Sequence, residues 1–176
     1  MTSTDTLTGE RADILETLAA HRFFLRNTTK GMTEEQIRQR STVSELTLGV
    51  LIKHVADMER RWVDFILEGP SAMGNFNDDL TPEELAVWAS SFQIPEGATL
   101  ADLLAEYDKV AQRTDELVAS LPDLDAAHPL PEAPWFQPGA KRSARRVLLH
   151  IVAETAQHAG HADIIREAID GQKSMG

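Results

Sequence analysis

The chain has 176 residues, 42% hydrophobic and 26% charged, enough to bury a core within a single domain spanning 1–176. A formal net charge of -11 sets the surface against nucleic acid and anionic membrane, whose phosphates it would repel, so neither is expected as a partner. With no cysteine, disulfides, thiolate metal sites and cysteine nucleophiles are excluded, and any thiol chemistry needs a thiol brought from outside.

The opening "MTSTDTLTGERADIL" lacks the apolar stretch of a secretory signal, and no segment approaches the roughly 20 apolar residues of a membrane span, so a cytoplasmic location is expected. Helical periodicity then dominates, with no alternating strand pattern, internal repeat or low-complexity tract. A first helix is predicted over 8–29, with Ile14, Leu18 and Leu25 on one face. "MTEEQ" follows as a short capped turn, Thr33 answered by Gln36. A second helix is predicted from Thr47 to Leu67, its inward residues being Val50, Leu51, Val55, Met58, Trp62 and Phe65; "EGPSAMG" ends it, and 70–80 reads as loop.

"TPEEL" places Thr81 at an N-cap, Pro82 at the first helical position and Glu84 two further on, predicting a short accessory helix over 82–92. A third long helix begins after Thr99, answered by Asp102, and runs to about Leu121. The Pro-rich connection 122–142 carries no regular signal. A fourth long helix is predicted from Ser143 to the left-handed stop at Gly171. The fold class is therefore all-α, a four-helix bundle with long connections and a short accessory helix.

The last helix contains "HIVAETAQHAGH". At about 100° per residue, His150, Glu154, His158 and His161 fall in one stripe, and Val147, Ile151 and Ile165 share its arc, so the stripe is expected to face the bundle interior. A carboxylate there needs a partner. One reading supplies hydrogen bonds to carbonyls for the histidines and Arg145, Arg146 or Arg166 for Glu154. The other supplies a metal, because His54 sits centrally on the second helix's apolar stripe. Two imidazoles and a carboxylate from facing helices suit zinc, nickel or iron(II) with positions left open.

The stretches "MTEEQIRQRSTVSELTL", "LGVLIKHVADMERRWVDFILEG" and "LLHIVAETAQHAGHADIIREAIDG" together resemble the DinB-like superfamily, nearest its branch of mycothiol-dependent enzymes. The resemblance implies a four-helix bundle, commonly a homodimer, holding a divalent metal through three side chains at one end. It assigns His54, Glu154 and His158 as ligands, in the glutamate-containing variant of the ligand set. His161 stands where many relatives carry glutamine, which implies a substrate-facing or supporting role.

Other residues have weighed roles. His21, inward on the first helix, is a candidate pocket residue and, with His161, a candidate catalytic base. His150 is read as core or as a group orienting a ligand. Arg61, about two turns beyond His54, is a candidate for holding an anionic substrate group, against a surface ion pair. Trp62, Trp88 and Trp135 read as core or pocket wall. "AKRSARR", 140–146, is the single basic cluster, either solvating a helix start or forming an anion patch.

The function expected is a divalent-metal-dependent thiol S-transferase or isomerase. The metal, zinc above nickel or iron, would lower the pKa of a low-molecular-weight thiol such as mycothiol for attack on a small electrophile. Two alternatives use the same residues: a hydrolase activating water, with His161 or His21 as base, and a metal-binding module without turnover.

Overall fold

The protein's structure is a computed structural model that describes residues 7–74 and 81–174. The side chains of Glu84 and Trp88, with the expected cap and pocket-wall role, lie outside the described residues, as does the 75–80 part of the expected loop. Four long helices and one short one carry the fold: α1 (Glu10–Asn27), α2 (Leu48–Glu68), α3 (Pro82–Ser90), α4 (Leu100–Ser120) and α5 (Ala144–Asp170). The all-α bundle expected from periodicity is what forms, with α1 and α3 somewhat shorter than predicted. No described helix is long and apolar enough to cross a membrane.

The helix starts follow from side chains that accept N–H groups the first turn leaves over. Thr47 accepts from Val50 at 3.3 Å, Thr99 from Asp102 at 3.2 Å and Ser143 from Arg146 at 3.2 Å. Asp102 returns the exchange, accepting from the Thr99 N–H at 2.9 Å. Thr33 and Gln36 exchange bonds in the same way, at 3.0 and 3.2 Å, across a short 3-10 turn. α5 stops at Gly171, whose φ of 80° only glycine adopts without strain.

In cross-section α5 lies between α1 and α2, and α4 lies between α2 and α1. The chain therefore crosses the bundle diagonally twice, over 28–47 and over 121–143, and each diagonal requires a long connection. The second of these departs from expectation. It contains an antiparallel ribbon, β1 (Ala127–Pro129) with β2 (Lys141–Ser143), in which His128 faces Arg142. Strands of three residues are too short for alternation to show in a sequence. The ribbon is pinned to the end of α2. His128 Nε2 donates to the Ile66 carbonyl at 3.2 Å, and the ring lies 3.0 Å from where a Cβ on Gly69 would sit. Likewise, the loop expected over 70–80 begins within a 3-10 turn, Gly69–Met73, that buries Met73.

The core falls into two apolar clusters. One gathers Leu18, Phe65, Val147, Leu148 and Ile151; the other gathers Leu25, Leu51, Val55, Tyr107 and Ile165. A charged layer lies along the same helices, at Arg22 and Glu59, which are 3% and 0% exposed. Arg22 donates through Nε to Glu59 at 3.3 Å and through Nη2 to the other oxygen of the same carboxylate. Its Nη1 reaches Asp115 at 2.8 Å, and the Thr114 hydroxyl donates to Glu59 at 2.6 Å. The sequence reading did not single out this layer, because one charge within an apolar stripe looks like any stripe edge.

Removing one member of a buried pair strands the other charge. Glu59→Leu is expected to lower the unfolding free energy by about 3 kcal/mol in urea titration, whereas Arg22→Met/Glu59→Leu recovers most of that loss. Equal losses in the single and double variants would mean that the pair is not a coupled unit.

Candidate metal centre

α2 and α5 pack against each other, and their facing flanks bring three side chains together. One ligand atom each of His54, Glu154 and His158 lies within 4.8 Å of the other two. The His54 and His158 rings meet edge to face, centroids 4.8 Å apart. The Glu154 carboxylate is 3.6 Å from Nε2 of His158 and 3.8 Å from Nε2 of His150. Bonds of 2.0–2.2 Å to a tetrahedral zinc would place ligand atoms about 3.4 Å apart, so closing the cluster needs movements of about 1 Å, within the reach of side-chain rotation. Two imidazole nitrogens and one carboxylate oxygen fit a divalent zinc, nickel or iron ion.

The stripe does not point at the bundle centre as expected. Thr155, Ala159 and Ala162 are buried at the middle of the α5 face, and the polar stripe is rotated from it by roughly 80°. The side chains of His150, Glu154 and His158 are accordingly 22%, 28% and 14% exposed, on the edge where core gives way to solvent. That edge can hold ligands and still admit a small molecule.

Burial is the main cause holding His54, His150 and His158 below the ordinary histidine pKa. Next to burial, Arg142 acts on His150 in the same direction, and His54 does so on His158; Glu154 opposes the effect on all three. Imidazoles are thereby kept neutral, the form with a lone pair to give. Two of the three arginines proposed as partners for Glu154 are engaged elsewhere. Arg145 pairs with Glu10 and Asp125, and Arg166 pairs with Asp170 and donates to the carbonyls of Thr28 and Lys30. Arg146 is exposed. Among the described residues, the ion-pair contacts of Glu154 are with His150 and His158.

His161 stands beside the cluster, its Nδ1 3.4 Å from Nδ1 of His158. A cavity of about 410 Å³ opens next to His54 and His150. Arg61 is exposed but lines it, as do Trp62 and Trp135. Trp62 is buried and meets the His150 ring edge to face at 4.9 Å, while Trp135 is 64% exposed, so it walls the cavity without belonging to the core. His21 is half-buried on α1, and neither it nor His161 is among the cavity-lining residues.

Among the cavity residues not singled out from the sequence, two touch the site's rings directly. Phe92 stacks on His54, ring centroids 5.7 Å apart, from the segment following α3. Arg142, read as one member of a basic cluster, is held by β2 with its guanidinium 4.7 Å from the centre of the Trp62 ring. No signal in the sequence marks Phe92. Arg142 owes its place to the ribbon, which sets it opposite the anchored His128 and is too short to leave a pattern in the sequence.

A family model described as Mycothiol-S-transferase matches residues 13–171. No curated protein matches the chain by sequence. Among solved structures, a conserved protein from Enterococcus faecalis superposes with a TM-score of 0.67, over 94% of this chain and 100% of its own, at 14% identity. At that identity the likeness concerns the fold.

If the three side chains bind a metal, Glu154→Gln is expected to retain less of it than His150→Gln. The first loses a charged donor, and the second loses a supporting contact whose removal costs about 10- to 100-fold in affinity. Elemental analysis of untagged protein after dialysis makes the comparison. Equal metal content in both variants would contradict the ligand assignment.

Proposed function

The chain belongs to the mycothiol-S-transferase family, and from that premise we propose that it transfers a low-molecular-weight thiol of the mycothiol type to a small electrophile, using a divalent metal held by His54, Glu154 and His158. The observation that carries the reading is the convergence of those three donors beside a cavity of about 410 Å³. A divalent ion at that place supplies Lewis acidity, which lowers the pKa of a thiol toward neutrality. The chain has no cysteine to compete for the ion or for the electrophile.

The protein's own groups hold and orient. His54 is clamped between the Phe92 ring and His158, which limits its rotation. His158 directs Nε2 toward Glu154 while its Nδ1 lies by Nδ1 of His161. A hydrogen bond from the Nδ1–H of His158 to His161 would fix the tautomer that leaves Nε2 free as a donor atom. In this proposal His161 is a positioning residue outside the ligand set, and His21 carries no proton. Trp62, Met58 and Phe92 furnish apolar walls to the cavity beside His54.

In transfer, the sulfur forms a bond to carbon as the leaving group departs with the bonding pair, and the thiol proton passes to solvent or to a neighbouring base. Isomerisation would use the same sulfur, added to a conjugated double bond and later expelled. Both reactions fall within the proposal.

The test is conjugation of mycothiol or a simple thiol to 1-chloro-2,4-dinitrobenzene. Protein with its metal is expected to accelerate the reaction, and Glu154→Ala or chelation to lower the rate by about 100-fold. His161→Gln should lower it by about 10-fold while metal content is kept. Turnover of ester substrates without thiol, and none of the dinitrobenzene with it, would replace transfer by hydrolysis.

A further inference from the structure

Arg142 stands out once the ligands are accounted for. Its guanidinium lies over the Trp62 ring at 4.7 Å and near the Phe136 ring at 5.4 Å, and both aromatics line the same cavity as His54. Its Nη1 is buried and has no hydrogen-bond partner among the described residues. Buried guanidinium donors are seldom left in that state, because each has given up water for nothing. Burial and the neighbouring Arg146 both weaken its hold on the proton, and Glu154 strengthens it, yet arginine titrates too high for its charge to be lost near neutrality.

The surroundings specify what would satisfy it. Arg61 lines the same cavity, and Asp57, the carboxylate among its lining residues, is paired with Lys53 and Arg60, so the two arginines leave an excess of positive charge there on a chain whose net charge is -11. Such a local reversal of sign draws anions into a cleft that the rest of the surface repels. The planar fork of a guanidinium matches a carboxylate through two parallel bonds. Trp62, Phe92, Trp135 and Phe136 give the cavity flat apolar faces. Arg61 is exposed and screened by water, which leaves Arg142, fixed by β2, as the group with a defined direction.

We propose that Arg142 is a specificity-determining residue that holds the carboxylate of a planar, conjugated or aromatic electrophile in the cavity beside His54. The proposal deepens the transferase reading by naming the class of its second substrate. The Arg142 guanidinium binds the carboxylate, the aromatic walls hold the plane, and the electrophilic carbon is presented toward the end of the cavity where His54 lies. Arg61 assists capture from the rim.

The experiment compares benzoate with benzamide, which share shape and differ in charge, by calorimetric titration of the full-length protein as purified, with metal content measured in each sample. Benzoate is expected to bind at least about 10-fold more tightly than benzamide, a preference that Arg142→Met removes and Arg142→Lys retains in part. Metal content should be the same in all three proteins. No preference in the unaltered protein would overturn the proposal. So would a preference that survives Arg142→Met and disappears on chelation, since the carboxylate would then be binding the ion. Arg142→Lys, which keeps the charge and loses the fork, supplies the same comparison if Arg142→Met does not fold. Because binding is read without turnover, failure of the transferase reading leaves this result standing, and failure here leaves thiol transfer untouched.

Discussion

A buried ion pair between Arg22 and Glu59 fixes how α1, α2 and α4 are turned about their axes, and the direction of His54 follows from it. Glu59 is committed to Arg22 and Thr114 on the side of α2 that faces α1 and α4. His54, five residues earlier, points about 140° away round the same helix, toward α5 and the cavity. Rotating α2 to bury His54 fully would expose the Glu59 carboxylate to the apolar clusters and strand Arg22. The cost of a buried, unpaired charge is several kcal/mol, more than one imidazole's packing could return.

From that orientation the rest of the site can be built. α5 lies between α1 and α2, with its buried face set by Val147, Ile151 and Ala162. Its polar stripe is left at the α2 seam, where Glu154 and His158 meet His54. Arg166 extends the tie, reaching from α5 to the carbonyls that follow α1. The ribbon closes the other side. His128 fastens it to the end of α2, and its partner residue Arg142 is delivered to the cavity wall beside Trp62. Core, ion pair and ribbon thus each settle the position of one side of a single small cleft.

Much of this was legible in the sequence, for identifiable reasons. The cap at Thr99 and the helix starts at Thr47 and Ser143 depend on a side chain and a backbone group three residues away, and such local causes can be read directly. The pairing of Glu154 with His158 is a one-turn step on a helix, and His54 on the facing helix came from the centre of an apolar stripe. What escaped was long-range. The mutual burial of Arg22 and Glu59 joins residues far apart in sequence, and neither shows its partner locally. The offset of the α5 stripe depends on which neighbouring helices flank it, which periodicity alone does not give. The ribbon is too short to leave a pattern, so Arg142 stayed hidden within its basic cluster.

The proposed chemistry requires above all that His54, Glu154 and His158 hold a metal with room for an incoming thiol. X-ray absorption at the zinc edge of the metal-loaded protein, with and without mycothiol, addresses it directly because the chain contributes no cysteine sulfur. The account predicts nitrogen and oxygen scatterers alone at about 2.0–2.2 Å before thiol is added, and one sulfur at about 2.3 Å afterwards. A coordination shell of nitrogen and oxygen that does not change at saturating thiol would contradict it.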